Sequence, residues 1–355
     1  MKMSNGHGGN IRAMAEAVGL QADDILDFSA NVNPLGFPEW LPSIVDRHLE
    51  AITRYPDSDC VSLVETVAAR YGVEKEDVIV GNGSTEILYE LPQAIAADRV
   101  VIAVPAYIDY RRAAERAGMV IRRLFMKEDE GFVLDLDVLD ASLEGDDLVF
   151  LGQPNNPTGL VFDAGAFRTL ALSRRTTLFV VDEAFADFVD NMDSLIRDRP
   201  PNVVVLRSLT KFYAVPGLRL GFAVADASLV AKLKDRMLPW SVNVLAQVVG
   251  EAGLRDAEYA VRTREFVRQE RNILLETLAS LPGLAPYAGR ANFLFARITH
   301  PDIDAPALAR QMLQNGVAIR VCDNYEGLDR RFFRVAVRTR DENNRLCEAL
   351  AKVLG

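Results

Sequence analysis

Between Asn202 and Lys211 the chain passes from an unbroken apolar run, Asn202-Val203-Val204-Val205-Leu206-Arg207, straight into Ser208-Leu209-Thr210-Lys211. A β-branched run without polar alternation predicts a strand buried on both faces, which in turn demands a parallel sheet covered by helices. From about Val78 onward the same alternation of short β-rich runs and helical patterns recurs. Strands are predicted at Asp77–Val80, Arg99–Val104, Met119–Phe125, Asp147–Leu151, Thr177–Val181 and Asn202–Leu206, with a further one at Gly217–Ala223. Helices are predicted between them at Ser84–Ala96, Ile108–Ala117 and Ala164–Ser173. Past Asp256 the character changes to a long charged helix, about Glu258 to Leu281, broken by Pro282-Gly283. Short strands at Asn292–Arg297, Val317–Val321 and Phe332–Val337 follow, then a last helix from Asp341 to Leu354. The expected fold is α/β. A large domain over 41–257 holds a mostly parallel sheet sandwiched by helices, and a smaller α+β domain spans 258–355, with an N-terminal arm, 1–40, packing on it.

With 355 residues, 49% of them hydrophobic, the chain can bury a large core. It contains no run of about 20 uncharged apolar residues and no apolar leader after Met1, so neither a membrane span nor a secretory signal is expected. Three widely spaced cysteines, Cys60, Cys322 and Cys347, make a disulfide framework improbable and point to the cytosol. His7, His48 and His300 match no metal-ligand spacing, so no metal is expected. A net charge of −10 argues against nucleic acid as a partner.

The chemistry collects where strands end. Asp147–Leu151 leads into Gly152-Gln153-Pro154-Asn155-Asn156-Pro157-Thr158-Gly159, Thr177–Val181 into Asp182-Glu183-Ala184-Phe185, and Asn202–Leu206 into the lysine segment. In a parallel sheet these ends converge on one edge, where open α/β sheets bind ligands. Lys211 offers an amine for an imine, while Ser208 and Arg219 suit a phosphate. Together they are what pyridoxal 5'-phosphate requires. Asp182 suits the cofactor's ring nitrogen, Asn156 its ring hydroxyl, and Tyr107, after Pro105-Ala106, the ring face. Ser84 and Thr85 follow Gly81-Asn82-Gly83 at a helix start, whose free amides favour an anion.

The succession Gly-Asn-Gly-Ser-Thr-Glu, Asn-Asn-Pro-Thr-Gly, Asp-Glu-Ala-Phe, Ser-Leu-Thr-Lys and Gly-Leu-Arg-Leu-Gly resembles fold-type I pyridoxal-phosphate enzymes of the class I/II aminotransferase group along nearly the whole chain. The resemblance implies that Lys211 carries the cofactor and that Asp182 and Asn156 hold its ring. It implies that Tyr55, in Arg54-Tyr55-Pro56-Asp57, reaches the phosphate in a partner subunit, making a homodimer with shared sites. One departure stands out: many relatives have a tyrosine where this chain has Phe185, a loss of one hydrogen bond worth about 0.5–1.5 kcal/mol. Within the group the chain is most similar to the threonine-phosphate decarboxylases of cobalamin biosynthesis. The carrying segments are His7-Gly8-Gly9-Asn10, Asp27-Phe28-Ser29-Ala30-Asn31, Pro239-Trp240-Ser241-Val242-Asn243 and Arg334-Val335-Ala336-Val337-Arg338. That likeness implies a small phosphorylated amino acid as substrate, met by His7, Gly8, Asn31, Asn156, Arg320 and Arg334. Arg338 is a further candidate cation. Histidinol-phosphate aminotransferases share the lysine, aspartate and Asn-Asn-Pro positions, so transamination stays open. A non-catalytic sensor fused to a DNA-binding domain is disfavoured, because nothing before Asp27 is long enough for a helix-turn-helix.

Overall fold

The computed structural model describes residues 8–355, so His7 lies outside the described residues. A short strand of the arm, β1 (Leu26–Asp27), precedes a seven-stranded sheet. Its members are β2 (Val78–Asn82), β3 (Arg99–Val104), β4 (Val120–Phe125), β5 (Leu148–Gly152), β6 (Leu178–Asp182), β7 (Val203–Ser208) and β8 (Leu220–Val224), in the order β2-β8-β7-β6-β5-β3-β4. Alternate residues feed opposite faces. Val149, Val181 and Val205 join one buried cluster, and Phe150, Val180 and Val204 the other. This double burial is why these strands read as continuous apolar runs.

Two features depart from the sequence expectation. β8 pairs antiparallel with both β7 and β2, in a sheet otherwise parallel. Only residues 209–219 separate β7 from β8, too short a stretch for the crossover helix that a parallel neighbour needs. The predicted strand Val317–Val321 is also two strands in two sheets. β9 (Leu284–Tyr287), β10 (Phe293–Ile298), β12 (Arg320–Val321) and β13 (Phe332–Ala336) form a four-stranded antiparallel sheet, while β11 (Val317–Ala318) pairs parallel with β1. β9 escaped the sequence reading because Pro286 interrupts it, which a sheet tolerates at the edge β9 occupies.

The second sheet packs against the long helix Ala257–Ser280 and the last helix Arg340–Leu354 through Leu274, Leu278, Leu294, Val335, Leu346 and Leu350, joined by Phe28 of the arm. Thr339 and Glu342 close a capping box on that last helix. The arm also touches the large sheet's loops. Asn33 donates its backbone N–H to the Lys211 carbonyl at 3.0 Å, and its side chain donates to the Phe212 carbonyl at 2.7 Å and to Thr263 at 3.0 Å. The arm therefore bridges the two layers rather than lying on one. Among the described residues no helix is long and apolar enough to cross a membrane.

Candidate active site

Strand register brings the polar ends to one edge of the large sheet. Gly152 is paired with Asp182, Asp182 with Leu206, Ser208 with Gly221 and Asn82 with Leu220. Because β8 runs backwards, its entry residue Arg219 arrives at the same edge where the other strands leave. Lys211 sits in the single helical turn Leu209–Phe212, with its Nζ 3.3 Å from Ser208 Oγ and 5.2 Å from the centre of the Phe185 ring. Burial lowers the amine's pKa below its ordinary value; Asp182 opposes that shift, while Arg219 and Arg334 add to it. Burial raises the Asp182 carboxyl, against the pull of Lys211, the Ala184 N–H at 3.0 Å and the Tyr110 hydroxyl at 3.0 Å. The amine is thus drawn toward its neutral, nucleophilic form while the carboxylate keeps two hydrogen bonds to its charge.

Glu183, the next residue, points the other way. Its carboxylate, fully buried, accepts from Arg207 Nη1 at 2.8 Å, Ser194 Oγ at 2.7 Å and the Leu195 N–H at 2.8 Å. Arg207 also donates to Asp187 and, at 3.2 Å, to the Tyr71 hydroxyl. This network lies behind the ends of β6 and β7 and fixes the strands that deliver Asp182 and Lys211.

The residues at one end of the cleft suit a phosphate. The helix Ser84–Ala94 starts after Gly83, whose φ is 76°, and a Cβ there would lie 2.4 Å from Arg219 Nη2. The guanidinium therefore lies directly over the turn into the helix, a position open only to glycine. On the adjoining strand a Cβ at Gly221 would meet the Ser84 nitrogen at 2.3 Å, so β8 also needs a glycine to pass the helix start. Ser208 Oγ lies 2.9 Å from Thr210 Oγ1, which brings a second hydroxyl beside the first. Helix amides, two hydroxyls and an arginine are a fitting donor set for a phosphate monoester. The amine of Lys211 and the carboxylate of Asp182 fit the rest of pyridoxal phosphate.

The second sheet supplies the opposite wall. Arg334, in the middle of β13 and only 6% exposed, donates to Asn156 Oδ1 at 2.6 Å and to the Ser29 carbonyl at 3.1 Å, and lies over the Phe293 ring at 5.0 Å. Asn31, with its amide oxygen turned toward this guanidinium, accepts from both terminal nitrogens at 3.3 Å. Arg320 stands directly across from Arg334 in the β12–β13 register and packs on Tyr325 at 5.3 Å. Like charges placed opposite each other cost stability, an arrangement suited to holding an anion. Gly8 lies against the arm, where a Cβ would be 2.3 Å from the Ser29 carbonyl oxygen. Arg338 is engaged elsewhere, donating to Glu342 at 2.6 Å and to the Asp27 carbonyl at 3.1 Å. Tyr107 stands at the N-cap position of the helix Ile108–Arg116 without a side-chain capping bond, and its ring meets the Tyr110 ring edge-on at 5.6 Å.

Residues 23–350 match the family described as aminotransferase class I and II. The chain belongs to that family. Over 99% of its length it is 40% identical to the threonine-phosphate decarboxylase of Salmonella typhimurium, covering 97% of that protein. It is 33% identical to the histidinol-phosphate aminotransferase of Methanothermobacter thermautotrophicus, with 98% of this chain and 94% of that one covered. Among solved structures, histidinol-phosphate aminotransferase from Sinorhizobium meliloti in complex with pyridoxal-5'-phosphate superposes with a TM-score of 0.87 over 98% of this chain and 94% of that one; at 20% identity this likeness concerns the fold.

Three residues of this aminotransferase-family cleft went unnoticed in the sequence. Tyr110 and Thr210 each lie one helical turn or less from a predicted site residue, Tyr107 and Lys211, which was a usable signal. Tyr325 carried none; it sits in a loop and reaches Asn156 Oδ1 at 3.1 Å only through tertiary packing. Tyr55 remains apart from the cleft contacts, 80% exposed, with its ring 4.6 Å from that of Trp240.

Proposed function

We propose that this chain is a pyridoxal-phosphate-dependent enzyme that decarboxylates L-threonine O-3-phosphate to (R)-1-amino-2-propanol O-2-phosphate, as a step of cobalamin biosynthesis. The observation that carries the reading is the 40% identity to the Salmonella decarboxylase across 99% of the chain, against 33% to the archaeal aminotransferase. In this reading residues 41–257 hold the cofactor and 258–355, with the arm, close over the substrate. Lys211 would bind the cofactor covalently, Asp182 and Asn156 would hold its ring, Tyr107 would lie against the ring face, and Ser84, Thr85, Ser208 and Arg219 would take its phosphate. When bound, the cofactor supplies a ring that accepts the electron pair left at the substrate's α-carbon.

The chain's own residues do the rest. Arg334, fixed by Asn156, Asn31 and Ser29, would orient the carboxylate, and Arg320, with Gly8 and the arm's His7, would take the substrate phosphate. The buried guanidinium favours a fixed, bidentate grip, which decides which bond at the α-carbon is aligned for breaking. After carbon dioxide leaves, that carbon needs a proton it did not hold before. The Lys211 Nζ, once it has itself taken up a proton, would be placed to deliver it, and its pKa, lowered by burial, makes the protonated amine the stronger acid. The exposed aromatic pair Tyr55 and Trp240, with Leu238 at 75% exposure nearby in sequence, supports a second copy of the chain as partner, with Tyr55 reaching its cofactor.

Cofactor-loaded protein incubated with L-threonine O-3-phosphate should release one carbon dioxide per aminopropanol phosphate without an amino acceptor. The second reading, histidinol-phosphate aminotransferase, rests on the 33% identity over 98% of the chain. Amino transfer from glutamate to imidazole-acetol phosphate, with no carbon dioxide, would establish it and overturn the first.

A further inference from the structure

Asn156 has an amide whose two ends are indistinguishable by shape and must be told apart by their partners. Its Oδ1 accepts two hydrogen bonds, from Arg334 Nη1 at 2.6 Å and from the Tyr325 hydroxyl at 3.1 Å. Both donors being on the oxygen, the amide nitrogen is the end left for a ligand. Tyr325 is itself 4% exposed and belongs to the loop between β12 and β13. The neighbouring Glu326 leaves the second sheet altogether. Its carboxylate accepts from Arg123 Nε at 2.5 Å and Nη2 at 3.1 Å, on the edge strand β4, and from Arg111 Nη1 at 3.2 Å, on the helix Ile108–Arg116. At Gly327, whose φ is 84°, an added Cβ would lie 3.3 Å from the Phe125 ring, so the loop passes this ring on a glycine. The loop thus runs from one sheet, touches the cleft, and is tied to the far edge of the other sheet.

We propose that residues 322–328 act as a clasp in which Glu326, seated between Arg111 and Arg123, holds the Tyr325 hydroxyl on Asn156 and so presents the Asn156 amide nitrogen to the cleft. Tyr325 and Glu326 are positioning residues: neither is asked to touch the reacting atoms. What the amide nitrogen meets, the hydroxyl of a pyridoxal ring, rests on the function proposed above; the clasp itself does not. Its ion pairs are partly exposed, with side-chain exposures of 38–41% for the arginines and 27% for Glu326. They are therefore open to screening by salt. Burial alone would raise the Glu326 carboxyl, but Arg123 and Arg111 hold it below its ordinary value of 4.5, so the tie is complete above that value and lost only as pH falls through the lower folded one. Near neutrality salt loosens the clasp and pH does not.

The experiment uses Tyr325→Phe, Glu326→Gln and the exchange Arg123→Glu/Glu326→Arg in the full chain. In cofactor-free protein, amide hydrogen exchange over 322–329 should speed up in Glu326→Gln and in wild type at about 1 M salt, where charges are screened beyond about 3 Å. The exchanged pair should recover only part of this, since Arg111 then faces a cation at position 326. Unchanged exchange in Glu326→Gln overturns the clasp whatever the protein catalyses. In loaded protein, Tyr325→Phe should weaken pyridoxal-phosphate affinity by about two- to tenfold, the size of one neutral hydrogen bond. It should also displace the pH midpoint of the cofactor's absorbance change, a signature that loss of packing alone does not produce. Equal affinity and an equal midpoint overturn the role of Tyr325. If wild-type protein binds no pyridoxal phosphate, the proposed function fails while the exchange data still decide the clasp.

Discussion

The two sheets contribute to one cleft by different means. β5, β6 and β7 place Asn156, Asp182 and Lys211 at or just beyond strand ends, on a foundation of buried ion pairs that does not itself face the cleft. The antiparallel sheet offers Arg334 from the middle of a buried strand and Tyr325 from a loop, and both reach the cleft by contacts across to the large sheet. The first arrangement is rigid because backbone ladders set it. The second depends on how the two layers meet, so its groups can be displaced without unfolding either sheet. Catalytic chemistry in the first and substrate orientation in the second is the division this difference favours.

The largest test of that division is Lys211→Ala. Without the amine, the protein should lose covalent cofactor attachment, and turnover should fall by about 10⁴-fold or more, the scale on which a covalent group is lost. Stability should hold or rise slightly, since a half-buried ammonium is removed. The visible absorption of the purified protein and its melting temperature check both halves. Next is Glu183→Ala, which strikes the foundation instead of the cleft. It leaves Arg207 buried without its fully buried partner and should cost about 3–5 kcal/mol of stability. Denaturant titration measures that cost. A loss below about 1 kcal/mol would mean Asp187 alone satisfies Arg207, and the rigid half of the comparison would weaken.

Arg334→Met addresses the second sheet. Truncating a buried, hydrogen-bonded cation costs about 2–4 kcal/mol, tens to a thousandfold in kcat/KM for the phosphorylated amino acid. The cofactor should stay bound, with only the pH midpoint of its absorbance displaced, because Arg334 also holds Asn156 Oδ1. If the cofactor is lost as well, the division between chemistry and orientation fails. A subtler probe is Asp182→Asn, read in cofactor-free protein. Asp182 is the charge that props up the Lys211 amine against burial, so its removal should lower the amine's pKa further. Lys211 should then react with amine reagents at lower pH. The folded pKa being below the ordinary 10.5, the unfolded chain holds more protons through that window, and stability rises with pH there. In Asp182→Asn the window widens and the rise grows. A steeper loss of stability with rising pH would contradict the assignment.

How much of this was legible in the sequence follows the same line. Strand-end groups were readable because an apolar run followed by polar residues fixes both a strand and its exit, as at Val203–Ser208 followed by Lys211. The direction of β8 was not, since hydropathy carries no polarity; only the short span 209–219 hints at it. The break at Ile319 was hidden because Val317 to Val321 is uniformly apolar or long-chained, yet its halves pair with different partners. Arg338 and Arg334 look alike in sequence, four residues apart, but the first is neutralised by Glu342 at 2.6 Å and the second faces an amide, a carbonyl and a ring. Glu326 looked like any surface carboxylate. Such distinctions arise from tertiary partners, which periodicity does not encode.

The smallest expected effect comes from Phe185→Tyr, at the junction of the two sheets. Phe185 is 6% exposed, meets Phe293 of β10 edge-on at 5.0 Å and lies 5.2 Å from Lys211 Nζ. This one ring therefore meets both the packing between layers and the amine. A hydroxyl added here enters a cleft already holding donors on Asn156 and Lys211, so it need not be buried without a partner. Its net contribution should be about 0.5–1.5 kcal/mol, favourable to cofactor affinity if it finds the ring hydroxyl. Overpacking against Phe293 would offset part of this, since an inserted group in a full core costs about 1–3 kcal/mol. The sign separates the alternatives: tighter cofactor binding with an unchanged melting temperature places the para position of residue 185 in the cleft, on the chemical side of the division. Weaker binding together with a lower melting temperature places it in the packing between the sheets, and the boundary between the two halves of the site would have to be drawn on the cleft side of Phe185.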